Sequence, residues 1–325
     1  MEVVKFIDLF CGIGGFRQAM KEACFENNLI PECVFSSDID LSCQFSYEEN
    51  FGERPFGDIT KISEKDIPDH DIMFAGFPCQ PFSIIGQMKG FEDTRGTLFF
   101  DIARILKEKQ PKAFILENVK QLVGHNNGQT LKVIINTLKE LGYFVRYAVL
   151  NALDYGLPQK RERVIIVGHR QPILFSFPPP KRPFKPLSEI LEMNVDKKHY
   201  VSDYILGKRK NRHKSAYQPS IWHENKSGNI CSYPYSCALR SGASYNYLLV
   251  NGERRLTPRE MFRLQGFPDS YKIIVNDSQA RKQAGNAVPV NLVKAVILRL
   301  LPYVAKTVDK ATILYEYTLD FEYEQ

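Results

Sequence analysis

The chain has 325 residues, 44% hydrophobic and 25% charged, the proportions of a globular protein with enough core for two domains. No apolar run reaches membrane-spanning length and no leader is expected at the start. Seven cysteines, an odd number without scaffold spacing, exclude a disulfide framework and point to a reducing cytoplasm.

The net charge of +6 is unevenly spread. Residues 181–282 carry 19 Lys and Arg against 9 Asp and Glu, whereas the remainder is mildly acidic. One part of the molecule is therefore expected to face a polyanion. Cys231 and Cys237, six apart with no second close pair, are poorly spaced for zinc, and no metal site is expected.

In chain order, VVKFIDLF is the first expected strand, and the glycines of DLFCGIGGF (Gly12, Gly14, Gly15) follow it where a doubly wound sheet binds a nucleotide-like ligand. A GxGxxG fingerprint needs its third glycine at position 17, which is Arg17 here. A pyrophosphate cradle, and with it an NAD-dependent oxidoreductase, fits poorly. The strand ECVFSS leads to Asp38, placed to accept from ribose hydroxyls. Asp58 and the loop after DIMFAG continue a row of sites along the sheet's C-terminal edge.

That loop is GFPCQPFS at 76–83. Pro78 and Pro81 fix their own φ and remove two N–H donors, so Cys79 sits on a stiff loop at a strand end rather than in a helix. A long polar, glycine-bearing loop, IIGQMKGFEDTRG, follows, and loops of that length in compact domains are usually functional. GTLFFDIARILKEKQ and GQTLKVIINTLKELG have helix patterns, the latter ending in a glycine suited to a helix terminus. KAFILE delivers Glu117 and Asn118 to the same sheet edge. YFVRYAVL is a further buried strand, and PQKRERVIIVG places Arg161 and Arg163 on one side of the last one. The six prolines of QPILFSFPPPKRPFKP read as a hinge. Beyond it the chain turns basic, aromatic and turn-rich, until VPVNLVKAVILRLLPYV returns as a helix packing on the first domain.

The expected fold is α/β, a doubly wound, mostly parallel sheet. Residues 1–180 plus 283–325 form the catalytic and cofactor-binding domain, and 181–282 a smaller, irregular or β-rich, basic domain. The ordered row of sites favours an adenosine ligand without a bridging diphosphate, a description that fits S-adenosylmethionine. A thiolate can then activate an electron-poor ring by covalent addition. Cytosine is such a ring: sulfur at C6, with a proton shared at N3, makes C5 nucleophilic. A glutamate kept protonated by burial suits that proton, and Arg161 and Arg163 suit base O2, a phosphate or the thiolate. Cys11, Cys24, Cys33 and Cys43 read as simply buried.

GFPCQPFS, LENVK and PQKRER, in this order, resemble the DNA (cytosine-5) methyltransferases of the small bacterial restriction–modification type, and the resemblance covers nearly the whole chain. DLFCGIGGFR resembles the cofactor loop, SSDID the ribose-binding acid, GDI the adenine-contacting turn, and RRLTPREMFRLQGFPDSY and QAGNAVPV the closing motifs. The resemblance implies that Cys79 is the nucleophile, Glu117 the N3 partner, and that Arg161 and Arg163 orient the base and the reacting loop. It implies cofactor contacts at Phe10, Gly12, Ile13, Gly14, Asp38, Asp58, Ile59, Pro78, Leu98, Asn286 and Val288. The family often has an aromatic after the ribose-binding acid; Ile39 stands there, which leaves Phe10 as the ring to stack on adenine.

It further implies a lid between Ser83 and Thr97 that closes over double-stranded DNA, with Lys89 and Arg95 meeting phosphates. The target cytosine must be flipped out, and Ile84, Ile85, Gln87 and Arg240 are candidates to fill the gap. The basic block becomes the target-recognition region, in which Arg240, Ser241, Ser244, Tyr245 and Asn246 reach base edges. A tRNA cytosine-5 methyltransferase is the alternative substrate reading, disfavoured because the CFT tripeptide of that branch is absent. The expected enzyme is a cytoplasmic monomer without metal or membrane contact, which need not bind any cognate restriction endonuclease encoded nearby.

Overall fold

The computed structural model describes residues 1–78, 98–173, 175–180, 183–225, 227–242 and 247–306. The first half runs β1 (Val3–Leu9), α1 (Gly15–Glu26), β2 (Ile30–Ser37), α2 (Leu41–Phe51), β3 (Ile72–Gly76), α3 (Leu98–Lys109), β4 (Ala113–Val119), α4 (Gln129–Glu140), β5 (Phe144–Asn151), β6 (Gln159–Lys160) and β7 (Glu162–His169). Six of these strands form one sheet in the order β2-β1-β3-β4-β7-β5. Neighbours from β2 to β4 are parallel, while β7 runs antiparallel to both β4 and β5. The expected α/β fold is present, with one reversed strand in a mostly parallel sheet.

Alternation along each strand divides the core between the two sheet faces. Val4, Phe6, Ile72, Phe74, Ile115, Ile165 and Val167 pack on the face covered by α1. Ile7, Leu9, Met73, Ala75, Phe114, Leu116, Val164 and Ile166 pack with the apolar stripes of α3 and α4. The chain leaves β1 for β2 on one side and then returns to β3 on the other, so the sheet's switch point lies at the C-terminal ends of β1 and β3. A crevice opens there. Gly142, with φ of 85°, takes the left-handed turn after α4 expected of that position. The YFVRYAVL strand differs from expectation. It is the sheet's edge, not a buried strand, and leaves Phe144, Arg146, Tyr147 and Val149 exposed.

The proline-rich stretch after β7 forms no strand among its described residues but is tied to the first half. Tyr155 donates its hydroxyl to the Pro178 carbonyl at 2.7 Å, the Lys185 N–H reaches Gly156 O at 3.2 Å, and Phe175 is buried in the core. Then come α5 (Asp203–Arg212), β8 (Ile221–Glu224), β9 (Ile230–Tyr233), β10 (Ser236–Cys237), β11 (Leu248–Val250), β12 (Arg254–Arg255), α6 (Pro258–Leu264), α7 (Asp277–Asn286) and α8 (Val290–Val304). Strands β12-β11-β8-β9 make a small antiparallel sheet, and β10 pairs with β6, joining this region to the first. A capping box between Thr257 and Glu260, with Pro258 in the first turn, starts α6.

Helix α8 returns to pack on α1 through Val293, Val296, Ile297 and Leu300. The stretch Asp277–Val304 contains a window apolar enough to cross a bilayer, but 72% of it is buried inside the protein. It is a core element of this fold.

Candidate active site

The loop between β1 and α1 turns through three left-handed residues, Phe10 and Gly12 at φ 54° and Gly14 at φ 77°. A Cβ placed on Gly12 would meet no atom within 4 Å, so the backbone there faces open space into which a ligand can press. A Cβ on Gly14 would lie 2.3 Å from the Phe51 ring, so that glycine serves close packing. Arg17, standing where a third glycine would be, lies over the Tyr47 and Phe51 rings at 5.2 and 4.8 Å and pairs with Glu53.

Asp38, just past β2, is aimed by two backbone donors: Gly12 N–H reaches Oδ2 and Asp40 N–H reaches Oδ1, both at 2.8 Å. Burial raises its carboxyl, with those two bonds and the Lys282 ammonium acting against the rise. Asp40 caps α2 and pairs with Lys282 at 2.7 Å; burial works to raise it, but Lys282 and Ser42 outweigh that and hold it low. Asp58 accepts from the Thr60 hydroxyl and N–H, which keep its carboxyl below the usual range.

At the ends of β3 and β4 the chemistry changes. The Asn118 amide donates to Phe77 O at 3.0 Å while its oxygen accepts the Val119 N–H at 2.8 Å. This latch fixes the backbone immediately before Pro78. Glu117, 8% exposed, accepts from Arg163 Nε at 2.7 Å through Oε1. Its other oxygen, Oε2, lies 3.7 Å from where a Gly76 Cβ would stand.

Arg161 behaves differently from its neighbour two residues on. It is 2% exposed, and its Nη atoms donate to the carbonyls of Leu239, Gly285 and Ala287 at 2.9, 3.0 and 2.8 Å. Burial, and next the Arg163 charge, pull it down to about 9, which still leaves it protonated near neutral pH. All three acceptors are main-chain atoms. Arg161 is thus a clamp joining the segment after β10 to the end of α7. Gln159 does the same work beside it, donating to Leu264 O at 2.8 Å and accepting the Leu239 N–H at 2.9 Å. The sequence reading passed over Gln159, whose only signal was its place at the head of PQKRER.

These groups share one cleft of about 1470 Å³. Phe10, Gly12, Asp38, Asp58, Ile59, Pro78, Leu98 and Asn286 line it together with Glu117, Arg161 and Arg163, and Arg240 and Ser241 face it from the basic region. Ile13, Gly14 and Val288 are not in its lining. Ile13 is buried behind the loop, and Val288 packs so closely on Gly15 that a Cβ there would meet it at 2.6 Å. Ile39, 74% exposed, is at the rim. Arg240 lies over the Tyr247 ring at 5.2 Å. His223, Glu224, Asn225 and Arg209 also line the cleft and were not anticipated. Cys79, Lys89, Arg95, Ser244, Tyr245 and Asn246 lie outside the described residues, as do Ile84, Ile85 and Gln87.

The remaining thiols offer no rival nucleophile near the glycine loop. Burial pushes Cys24 and Cys33 up to about 12 and raises Cys11 and Cys43 as well. Among the described residues no cluster of His, Cys, Asp and Glu could hold a metal ion.

Residues 4–301 match the family model of the C-5 cytosine-specific DNA methylases. The chain is 57% identical over 294 residues to the Type II methyltransferase M.NgoBI of Neisseria gonorrhoeae, covering 90% of this chain and 91% of that protein. It is 56% identical over 299 residues to the Type II methyltransferase M.HaeII of Haemophilus aegyptius, covering 91% and 92%. Among solved structures, the Entamoeba histolytica methyltransferase EhMeth superposes with a TM-score of 0.71 at 19% identity, over 94% of this chain and all of that one. The Schizosaccharomyces pombe Dnmt2 methyltransferase does so at 0.69 and 21%, over 92% and 98%. At such identities the two structures speak for the fold alone.

Proposed function

The chain belongs to the C-5 cytosine-specific DNA methylases, and from that premise we propose that Cys79 is the nucleophile of a DNA (cytosine-5)-methyltransferase acting on a flipped-out cytosine in a short duplex site. The enzyme is the modification partner in a restriction–modification system, works in the cytoplasm as a monomer, and need not bind any cognate endonuclease encoded nearby. Residues 1–180 with 283–325 form its catalytic domain and 181–282 its recognition domain.

The observation that carries this reading is the continuity of the cleft. The glycine loop and Asp38 lie at one end, Glu117 with Arg163 at the other, and Pro78, which precedes Cys79 in the chain, between them. The open face of Gly12 and the fixed carboxylate of Asp38 suit an adenosine and its ribose hydroxyls, and Phe10, Asp58, Ile59, Leu98 and Asn286 complete that wall. S-adenosylmethionine supplies an electrophilic methyl group when bound there.

The protein's part is to make cytosine C5 a nucleophile. The Cys79 thiolate adds to C6, and the electron pair displaced from the C5–C6 bond makes C5 nucleophilic while the proton at N3 is shared with Oε2 of Glu117. Arg163 holds the other oxygen of Glu117 and so fixes which one faces the base. After methylation, which leaves S-adenosylhomocysteine, the C5 proton passes to water, the C5–C6 double bond reforms as the thiolate is expelled from C6, and the N3 proton returns to Glu117. Arg161 and Gln159 keep the recognition segment registered on this machinery. Neither a tRNA substrate nor hydride transfer is favoured by the family or by the cleft.

The test is transfer of radiolabelled methyl from S-adenosylmethionine. Duplex DNA should accept label at cytosine C5, and label appearing only in RNA would overturn the substrate assignment.

A further inference from the structure

Within the recognition region, α5 braces the hairpin of β8 and β9 at three points. Arg209 donates through Nε and Nη2 to the same oxygen, Glu224 Oε2, at 2.9 and 2.6 Å. Arg212 Nη2 reaches the Gly228 carbonyl at 2.8 Å, and the His213 ring nitrogen Nε2 lies 2.8 Å from the Ser232 hydroxyl. The turn is closed internally as well: Asn225 N–H donates to Asn229 O at 3.0 Å, and Asn229 N–H to the Asn225 side-chain oxygen at 2.9 Å. Glu224 is therefore held on a stiff support, and it lines the same cleft as Glu117 and Arg163.

A carboxylate at that place is an electrostatic cost. The surrounding region is strongly basic, as suits a phosphate-binding surface, and a lone acid facing DNA repels the backbone. Arg209 offsets that charge without covering it, because both of its donors fall on Oε2. Among the described residues no donor reaches Oε1. The roles of the two partners are distinguishable. Arg209 is only 9% exposed and its remaining Nη1 is buried without a partner among the described residues, so its part is that of a strut. The Glu224 side chain is 26% exposed. A carboxylate can only accept; the major groove offers amino donors at cytosine N4 and adenine N6, and the N7 acceptor beside adenine N6 repels a carboxylate, so its match is cytosine N4.

Resting on the DNA methyltransferase reading above, we propose that Glu224, oriented by Arg209, is a specificity-determining residue that accepts from the N4 amino group of one cytosine in the recognition site, other than the cytosine that is flipped and methylated. Arg209 is a positioning residue in this arrangement.

The test compares kcat/KM of wild type, Glu224→Gln and Glu224→Ala on the chain's own site, identified by mapping methylated cytosines, and on every single-base-pair substitution of it. Wild type should discriminate at one G·C pair by about tenfold or more and lose a similar factor when that cytosine is replaced by 2-pyrimidinone, which lacks the amino group. Glu224→Ala should lose discrimination at that position alone. In Glu224→Gln the amide oxygen must turn to Arg209, which leaves its NH2 facing the cleft. That variant should shift preference toward a base presenting an acceptor. Thermal unfolding and cofactor binding serve as controls for a merely structural ion pair. Unchanged discrimination at every position in both variants, with wild type active, would overturn the proposal while leaving the enzyme assignment intact. Wild type that methylated no duplex would remove the premise and the proposal together.

Discussion

Replacing Arg161 by methionine keeps the length of the side chain and removes its donors. Three buried carbonyls, those of Leu239, Gly285 and Ala287, then lose their partners. Hydrogen bonds from a charged donor contribute about 1.5–3 kcal/mol each, which gives roughly 5–9 kcal/mol gross. Against this, the wild-type protein buries a guanidinium at 2% exposure with Nε unpartnered among the described residues, and relieving that desolvation returns several kcal/mol. The expected net loss is about 3 kcal/mol. For a chain of 325 residues the shift is about 1.5 °C per kcal/mol, so the melting temperature falls by about 4–5 °C. Because the clamp joins the recognition segment to α7, DNA affinity should fall further than the stability change alone accounts for, with cofactor affinity less affected. The assays are thermal unfolding and equilibrium binding of a cognate duplex and of S-adenosylmethionine. A variant within about 0.5 kcal/mol of wild type, the range of a surface substitution, with undiminished DNA binding would refute the clamp.

Gly285 tests the same junction from the other side. Alanine is favoured over glycine in a helix by about 1 kcal/mol, but a Cβ here would lie 2.4 Å from Ser241 N and 2.7 Å from Arg240 C. Gly285→Ala should therefore push the recognition segment away and lower kcat/KM on cognate DNA by about 10- to 100-fold; unchanged kinetics would show that the contact is slack. His70 gives a pH dependence. Its Nδ1 faces Pro68 O at 2.9 Å, its Nε2 is buried without a partner among the described residues, and burial lowers its pKa below 6.5. Between the folded value and 6.5 the unfolded chain binds the extra proton, so the stability of the neutral ring is complete above about pH 6.5 and is lost as pH falls through that window. His70→Asn should flatten the slope of stability against pH just below about pH 6.5; an identical slope in both proteins would exclude His70 as its source.

Much of the sheet was legible because buried parallel strands are near-continuous apolar runs, and all six runs quoted from the sequence are strands. Direction was not legible. RVIIVGH is buried on both faces whether it runs parallel or antiparallel, so nothing in its composition records the reversal of β7. Nor did YFVRYAVL reveal that it lies at an edge, since the identity of its neighbours decides that. In the cleft, Asp38, Glu117 and Arg163 were found from their positions at strand ends, which are local facts. The role of Arg161 was not, because its acceptors are main-chain carbonyls 78, 124 and 126 residues away. Backbone carbonyls carry no sequence signature. Glu224 was missed for a related reason: one of nine acids in a basic block reads as surface until its partner Arg209 is seen beside it.

Covalent attack on the pyrimidine is the centre of this account, and 5-fluorocytosine tests it most directly, because fluorine at C5 cannot leave as a proton does and the adduct is arrested. Duplex DNA carrying that base at the target position, incubated with wild type and S-adenosylmethionine, should give a complex that survives denaturation and whose cross-linked peptide maps to Cys79. Cys79→Ser should give none. A cross-link mapped to another residue, or methyl transfer by Cys79→Ser at the wild-type rate, would contradict it.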